Sequence, residues 1–196
     1  MVTAMTARPA GAADSGLYLK LDGGAAFSPG LNLDINGMPG HLSLDTGYRV
    51  DGTVGYWLSP WLAAELEGGF LRNPIETISL ENMVGHPEGS SYLRQVPLLF
   101  NLVARYENRT AFTPYVGVGA GGVISDFRLS DNGDQETVVA LQAKVGLIYK
   151  LEPQAWVDFT YQVLGTDNQN YRIAGVDFHT DKVLSHFLGV SVIWNF

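Results

Sequence analysis

The residue types that nucleophilic acyl transfer needs, a serine, a histidine and a carboxylate, occur together towards the C-terminal end of the sequence. The candidate nucleophile, bases and orienting acids are Ser185, His186, His179, Asp177 and Asp181. A serine and a histidine act as nucleophile and base only when their side chains come within hydrogen-bond distance. Ser185 and His186 are adjacent, and adjacent side chains of a β-strand point to opposite faces. The sequence therefore predicts no catalytic site and no enzyme.

Oxygen-bearing side chains alternate between residues 131 and 136, where the sequence Asp-Asn-Gly-Asp-Gln-Glu is a candidate calcium site. A full calcium loop has about twelve residues, with ligands at fixed spacing and a closing glutamate. That loop is absent here, and the dipeptide Asn132-Gly133 is typical of a hairpin turn. We therefore predict a solvated hairpin tip, no metal site and no cofactor.

Hydrophobic and polar residues alternate with a period of two along most of the chain, which is the pattern of a strand with one apolar face. In the first stretch Leu17, Leu19 and Leu21 alternate with Lys20 and Asp22. Eight such stretches occur, at about residues 17–27, 44–58, 61–72, 92–106, 114–125, 138–151, 155–164 and 183–196. Eight strands of this kind close into a barrel that leaves no unpaired edge. The predicted fold is all-β, an eight-stranded antiparallel barrel.

Short and long connections alternate between the predicted strands. The short connections are residues 59–60, 107–113 and 152–154, and the long ones are about 28–43, 73–91, 126–137 and 165–182. An up-and-down order of strands places all short turns at one end of the barrel and all long loops at the other. Transmembrane β-barrels of the bacterial outer membrane have this asymmetry.

Two kinds of eight-stranded barrel fit a period of two, a soluble barrel with an apolar interior and a membrane barrel with an apolar exterior. The polar face carries few charges and their signs nearly balance, which suits a closed interior where buried charges pair. These charged residues are Lys20, Asp22, Asp45, Arg49, Asp51, Glu65, Glu67, Arg105, Lys144, Lys150 and Asp158. We predict that they form a salt-bridged network inside a membrane barrel.

All four tryptophans lie near the short-turn end or the C-terminus. Trp57 and Trp61 flank the first short turn, Trp156 follows the third, and Trp194 is two residues from the end of the chain. Membrane barrels carry aromatic girdles where the bilayer meets water, whereas the core of a soluble barrel has no reason to collect tryptophan at one rim. We therefore predict that these four residues form one girdle, on the periplasmic side.

The chain of 196 residues contains no cysteine and has a formal net charge of −8, which argues against a disulfide scaffold and against a nucleic-acid partner. No run of about 18 apolar residues is present, as a membrane-spanning helix would need. The negative excess falls on the long loops and their flanks, where eleven acids face three bases. The acids are Asp34, Glu76, Glu81, Glu88, Asp126, Asp131, Asp134, Glu136, Asp167, Asp177 and Asp181, and the bases are Arg128, Arg172 and Lys182.

The two ends of the chain differ in pattern. Residues 1–16 lack alternation and lack the basic and apolar regions of a signal peptide, so we expect a flexible leader there, with an export signal absent or truncated, and a barrel over residues 17–196. The last strand ends in Val-Ile-Trp-Asn-Phe, and residues 95–102 and 113–121 read Gln-Val-Pro-Leu-Leu-Phe-Asn-Leu and Thr-Pro-Tyr-Val-Gly-Val-Gly-Ala-Gly. These segments resemble the eight-stranded outer-membrane β-barrel family that includes the opacity proteins and the OmpA transmembrane domain.

The resemblance implies an integral protein of the outer membrane of a Gram-negative bacterium, with the short turns in the periplasm and the long loops outside the cell. Its partners would be the lipid bilayer, lipopolysaccharide and, during assembly, the outer-membrane insertion machinery. In that family a terminal phenylalanine belongs to the signal that the machinery recognises, and the matching residue here is Phe196.

The function predicted is that of a non-enzymatic, monomeric structural or surface-interaction protein that presents four acidic extracellular loops. Loops on a rigid scaffold are common binding sites, and acidic loops favour cationic partners or divalent ions that bridge to lipopolysaccharide. Because side chains fill an eight-stranded barrel, a polar plug is expected inside it. The alternatives are a small-solute pore and an outer-membrane enzyme that modifies lipid A.

Overall fold

The structure, a computed structural model, describes residues 16–35, 38–80, 83–85, 91–129, 132–173 and 175–196. This part of the chain contains strands and no helices. The strands are β1 (Leu17–Phe27), β2 (Leu31–Ile35), β3 (Met38–Leu44), β4 (Gly47–Ser59), β5 (Leu62–Leu80), β6 (Met83–Gly85), β7 (Tyr92–Arg105), β8 (Phe112–Leu129), β9 (Asn132–Lys150), β10 (Ala155–Thr166), β11 (Gln169–Ile173), β12 (Val176–Thr180) and β13 (Leu184–Asn195). Within those ranges, no helix is long and apolar enough to cross a membrane. Apart from Gly16, the leader expected at residues 1–16 lies outside the described residues.

Eight of the strands form a ring in which every strand is antiparallel to both neighbours. The order around the ring is β1, β4, β5, β7, β8, β9, β10 and β13. The first and last strands close it through a continuous register from Tyr18 opposite Asn195 to Phe27 opposite His186. The eight-stranded up-and-down barrel predicted from the alternation is therefore confirmed.

The two faces of the ring are inverted relative to a soluble protein. On β1, Leu19 and Leu21 are exposed, whereas Lys20 and Asp22 between them are buried. The same alternation runs through β4, β7, β10 and β13. Exposed apolar side chains around a closed ring are stable in lipid, where every backbone group must also be paired within the protein.

One end of the ring, hereafter the turn end, carries the short connections. They comprise residues 60–61, 106–111 and 151–154, within two residues of the predicted bounds. The opposite end differs from the prediction, because most of what was expected to be loop is β-structure. Strands β5, β8 and β9 extend past the ring, and β2, β3, β6, β11 and β12 lie within the predicted long loops, apart from Leu44 at the end of β3.

These added strands pair into a second sheet, hereafter the cap, above the long-connection end of the ring. Its order is β11, β12, β2, β3, the outer part of β5, and β6. An apolar core joins the cap to the ring, centred on Phe127 of β8, whose ring lies 5.4 Å from that of Tyr171 and 6.0 Å from that of Phe178. The buried members of this core are Leu31, Leu42, Ile75, Leu93, Phe127, Tyr171, Phe178 and Val183. The predicted open loops are thus replaced by a packed layer.

Candidate functional site

Glu67 on β5 is the centre of the polar network inside the barrel. Its carboxylate accepts hydrogen bonds from Arg49 Nη2 at 2.7 Å, Asn101 Nδ2 at 2.9 Å, Gln142 Nε2 at 3.0 Å and Lys144 Nζ at 3.0 Å. The four donors come from β4, β7 and β9, and all of them are buried. A carboxylate with this many donors, two of them cationic, is stable away from water.

A second group of buried charges surrounds Lys20 on β1. Its ammonium lies 2.7 Å from Asp158 Oδ2 and 3.2 Å from Asp22 Oδ1. The Asp158 carboxylate also accepts hydrogen bonds from Tyr115 Oη at 2.9 Å and Ser191 Oγ at 3.1 Å. This cation is therefore held by Asp22 on its own strand and by Asp158 on β10, two places away in the ring.

Side chains from opposite walls of the barrel meet at its axis. The strands β4 and β9 lie four places apart in the ring of eight, yet Arg49 Nη2 donates to Gln142 Oε1 at 3.1 Å. Lys20 on β1 likewise reaches Tyr115 on β8, with 3.5 Å between Nζ and Oη. A cavity of only about 10 Å³ lies beside Lys20 and Tyr115, room for about one water molecule. The described interior is therefore filled across its diameter.

Close packing also determines where glycine is needed on the inner wall. A Cβ added at Gly69 would lie 1.7 Å from Asp51 Oδ1. Asp51 in turn lies 2.6 Å from Arg49 Nε. Gly69 thus makes room for the carboxylate that pairs with Arg49.

Nine of the eleven charges predicted to lie inside the barrel are buried there. The prediction is wrong for the other two, Asp45 and Lys150. Asp45 is exposed in the connection between β3 and β4, because β4 begins only at Gly47 and the alternation does not extend to it. Lys150 ends β9 at the turn end, where its side chain is 32% exposed and lies 3.7 Å from Glu107. The buried partners Tyr18, Tyr115, Asn101 and Gln142 were not predicted as site residues, although their positions in the alternation place them on the same face.

The prediction that all four tryptophans form a girdle is wrong for two of them. Trp61 and Trp194 are more than half exposed on the outer surface, but Trp57 and Trp156 are each 2% exposed and point inside. The alternation already carried this signal, because Trp57 has the parity of Asp51, and Trp156 has that of Asp158.

Trp57 and Trp156 close the barrel at the turn end, together with Arg105. The guanidinium carbon of Arg105 lies 3.7 Å from the ring centre of Trp57 and 5.4 Å from that of Trp156. Arg105 Nε donates to the carbonyl oxygen of Pro60 at 2.6 Å, and Nη2 lies 2.9 Å from Glu107 Oε1. A planar cation between two indole rings is a stable, nearly water-free arrangement.

Two of the predicted loop acids hold the outer edge of the cap. Asp134 on β9 accepts the backbone N–H of Arg172 at 2.6 Å, and Glu136 accepts the backbone N–H of Asn170. Tyr171 lies between Asn170 and Arg172 in sequence, and its hydroxyl donates to Ser125 Oγ at 2.8 Å. Burial raises the pKa of this hydroxyl. Asp134 and Glu136 therefore anchor β11. Glu81, Glu88 and Asp131 lie outside the described residues, so the candidate calcium segment is described only in part.

The candidate catalytic residues are not brought together. Ser185 is buried inside the barrel, with Oγ 3.0 Å from Ser28 Oγ, whereas His186 lies on the outer face and its Nδ1 is 2.7 Å from Tyr161 Oη. His179 contacts Asn170, and Asp177 pairs with Arg172 at 3.0 Å. In the described ranges, no group of three His, Asp or Glu residues is arranged to hold a metal ion.

A family model described as "Outer membrane protein beta-barrel domain" matches residues 1–196. The chain belongs to this family of outer-membrane β-barrels. A search of curated proteins found no match. Solved structures similar to the chain include OprG from Pseudomonas aeruginosa, at 15% identity and TM-score 0.66, covering 93% of this chain and 98% of that chain. Neisserial surface protein A follows at 16% identity and TM-score 0.60, covering 95% and 100%, and AlkL in lipid bilayers at 20% and 0.55, covering 100% and 98%.

Membership of this family places the barrel in the outer membrane of a Gram-negative bacterium. As in other barrels of this membrane, the turn end faces the periplasm and the cap faces the exterior. Trp61 and Trp194 are exposed on the outer surface at this turn end, and amphipathic rings are favoured at the interface between membrane and water. Phe196 follows β13 with its side chain 74% exposed, and its backbone N–H donates to the carbonyl oxygen of Leu17 at 3.0 Å.

Proposed function

We propose that this outer-membrane barrel is a non-enzymatic structural and surface-interaction protein that acts through its extracellular cap. The observation that carries the proposal is the second sheet, in which β2, β3, β11 and β12 pair over an apolar core. Paired strands that share an apolar core with the ring hold a fixed surface, which a binding site requires. The filled interior favours a scaffold over a pore, and the separation of Ser185 from His186 favours a binding protein over an enzyme.

The partner that we propose for the cap is cationic. Asp45, Asp167 and Asp181 are exposed in the connections at the base of the cap. They come from three separate connections, so a ligand that spans the cap could contact all three. Negative charge at this surface attracts cations over about 10 Å at ordinary ionic strength. The barrel would act as a monomer, and Phe196 would serve as part of the signal for insertion into the membrane.

The cap proposal is tested with a fluorescent oligolysine peptide and the protein refolded into phosphatidylcholine vesicles. We expect the wild type to bind the peptide and the variant Asp45→Asn/Asp167→Asn/Asp181→Asn to bind it several-fold less tightly, because the attraction is electrostatic and falls with added salt. The matched control Glu107→Gln/Glu152→Gln removes exposed carboxylates at the opposite end of the barrel. Equal losses in both variants, or no loss in the first, would overturn the proposal.

A further inference from the structure

Three arginines lie side by side on the outer wall of the barrel, at the extracellular end of the membrane-spanning part. They are Arg72 on β5, Arg94 on β7 and Arg128 on β8. In the register, Arg72 lies opposite Arg94, Arg94 opposite Asp126, and Tyr92 opposite Arg128. These five residues, hereafter the arginine patch, have the same parity as the exposed Leu98, Phe100 and Ile124 and so lie on the outer wall, where Asp126 is itself only 6% exposed.

The arginine patch is ordered by its own contacts. The guanidinium carbons of Arg72 and Arg128 lie 4.1 Å and 5.9 Å from the centre of the same Tyr92 ring. Arg94 Nη2 lies 2.5 Å from Asp126 Oδ2, and the side chain of Arg94 remains 39% exposed. One aromatic ring and one carboxylate thus hold three guanidinium groups close together while leaving their outer edges accessible.

The charge of the patch is opposite to that of the chain. Three cations and one carboxylate give a local positive excess in a protein with a net charge of −8. Like charges directly opposite each other on neighbouring strands are destabilising, and Arg72 and Arg94 are such a pair. Among the described residues, Asp126 is the carboxylate that pairs with the patch, and it pairs with Arg94. An anion bound from outside would therefore stabilise this surface.

The position of the patch indicates which anion it meets. A transmembrane strand needs about 9–11 residues, which is the length of β5 between Trp61 at the periplasmic interface and Arg72. The apolar outer residues Leu66 and Phe70 lie between them. The patch therefore lies at the level of the lipid headgroups of the outer leaflet, below the cap.

We propose that the arginine patch binds the phosphate groups of the phosphorylated glycolipid that forms the outer leaflet. A guanidinium group presents two parallel N–H donors to phosphate oxygens. These charge-assisted hydrogen bonds are roughly twice as strong as hydrogen bonds between neutral groups. Tyr92 orients Arg72 and Arg128, and Asp126 positions Arg94. The site lies on the membrane-facing wall, so it is independent of any ligand on the cap.

The proposal is tested by native mass spectrometry of the folded protein in a neutral detergent, with lipid A as the probe. Lipid A that carries both phosphates is compared with lipid A from which the phosphates have been removed. We expect the wild type to prefer the phosphorylated form by at least about tenfold, as charge-assisted bonds from several arginines imply. The variant Arg72→Gln/Arg94→Gln/Arg128→Gln is expected to lose that preference.

The matched control is Arg109→Gln/Arg172→Gln, which removes one exposed arginine at the periplasmic turn and one on the cap. We expect it to keep the wild-type preference. Heat-modifiable migration in gels checks that each variant is folded. If the triple variant does not fold, it is replaced by the single variants Arg72→Gln and Arg128→Gln. Each single variant is expected to weaken binding several-fold. A wild type without preference, a patch variant that keeps it, or an equal loss in the control would overturn the proposal. None of these outcomes affects the oligolysine test of the cap.

Discussion

Buried charges in the barrel are stabilised only as a connected set, and Glu67 is the residue on which most of them depend. Its carboxylate pairs with Arg49 and Lys144 from different strands. We predict that Glu67→Gln lowers the free energy of unfolding by about 3 kcal/mol or more, because two cations lose their common partner while remaining buried. Urea unfolding in lipid vesicles, followed by tryptophan fluorescence, measures the change.

The control for Glu67 is the exposed ion pair between Arg172 and Asp177, whose side chains are 72% and 66% exposed. Arg172→Gln should change the free energy of unfolding by less than about 1 kcal/mol, since water solvates both partners. If the two substitutions had similar small effects, the interior would be hydrated and the network would contribute little.

The face on which a single residue lies could be predicted from the sequence wherever the strand alternation was regular. Parity alone placed Lys20, Glu67 and Asp158 on the inner face, and the structure buries all three. Trp57 and Trp156 differ from the girdle prediction because their parity, and not their residue type, determines that they face inward. The arginine patch was not predicted, since Arg72 and Arg94 interrupt the outer apolar pattern at the point where the strands leave the membrane.

The strand β11 forms the end of the cap sheet, and its outer backbone edge is covered by side chains. In an antiparallel ladder alternate N–H groups point away from the partner strand, and those of Asn170 and Arg172 are accepted by Glu136 and Asp134. We predict that Asp134→Ala/Glu136→Ala speeds hydrogen exchange at these two amides by about tenfold, because the donors become solvated. The amide of Tyr171, which faces β12, should change less.

Asp167→Ala is the matched control for this edge, because Asp167 is an exposed acid in the connection just before β11. Its loss should leave the exchange of Asn170 and Arg172 unchanged. Equal acceleration across the whole of β11 in the Asp134 and Glu136 variant would instead mean that these acids hold the entire cap.

The cap could not be predicted from local sequence for a physical reason. The strands β2 and β3 form one local hairpin, and β11 and β12 form another. The cap joins these hairpins through pairing between segments far apart in sequence, as where Phe178 lies opposite Ile35. Strands of five to seven residues give too few alternations to distinguish them from polar loops. The ring strands were predictable because each crosses a bilayer and must repeat its pattern for about ten residues.

At the scale of the whole molecule, the described ring is closed across its diameter by its own side chains, which favours the proposed scaffold over a pore. Contacts across the diameter join Arg49 to Gln142 and Lys20 to Tyr115, and Arg105 lies between two tryptophans at the periplasmic end. A solute could cross only by breaking several buried ion pairs at once, which costs several kcal/mol for each pair. We therefore predict that the folded protein in a planar bilayer gives no discrete current steps.

Two controls make that absence of current informative. The same preparation must show heat-modifiable migration, which reports that the barrel is folded, and a well-characterised porin must conduct in the same bilayer. The variant Arg49→Ala/Glu67→Ala/Lys144→Ala/Trp57→Ala/Trp156→Ala removes the central contacts and both indoles, so if it remains folded it should admit water and ions. Reproducible steps from the wild type, of the size seen in the opened variant, would contradict the sealed interior and make the barrel a pore. If the wild type passes no current and the opened variant conducts, the side chains keep the barrel closed, and the width of an eight-stranded ring does not.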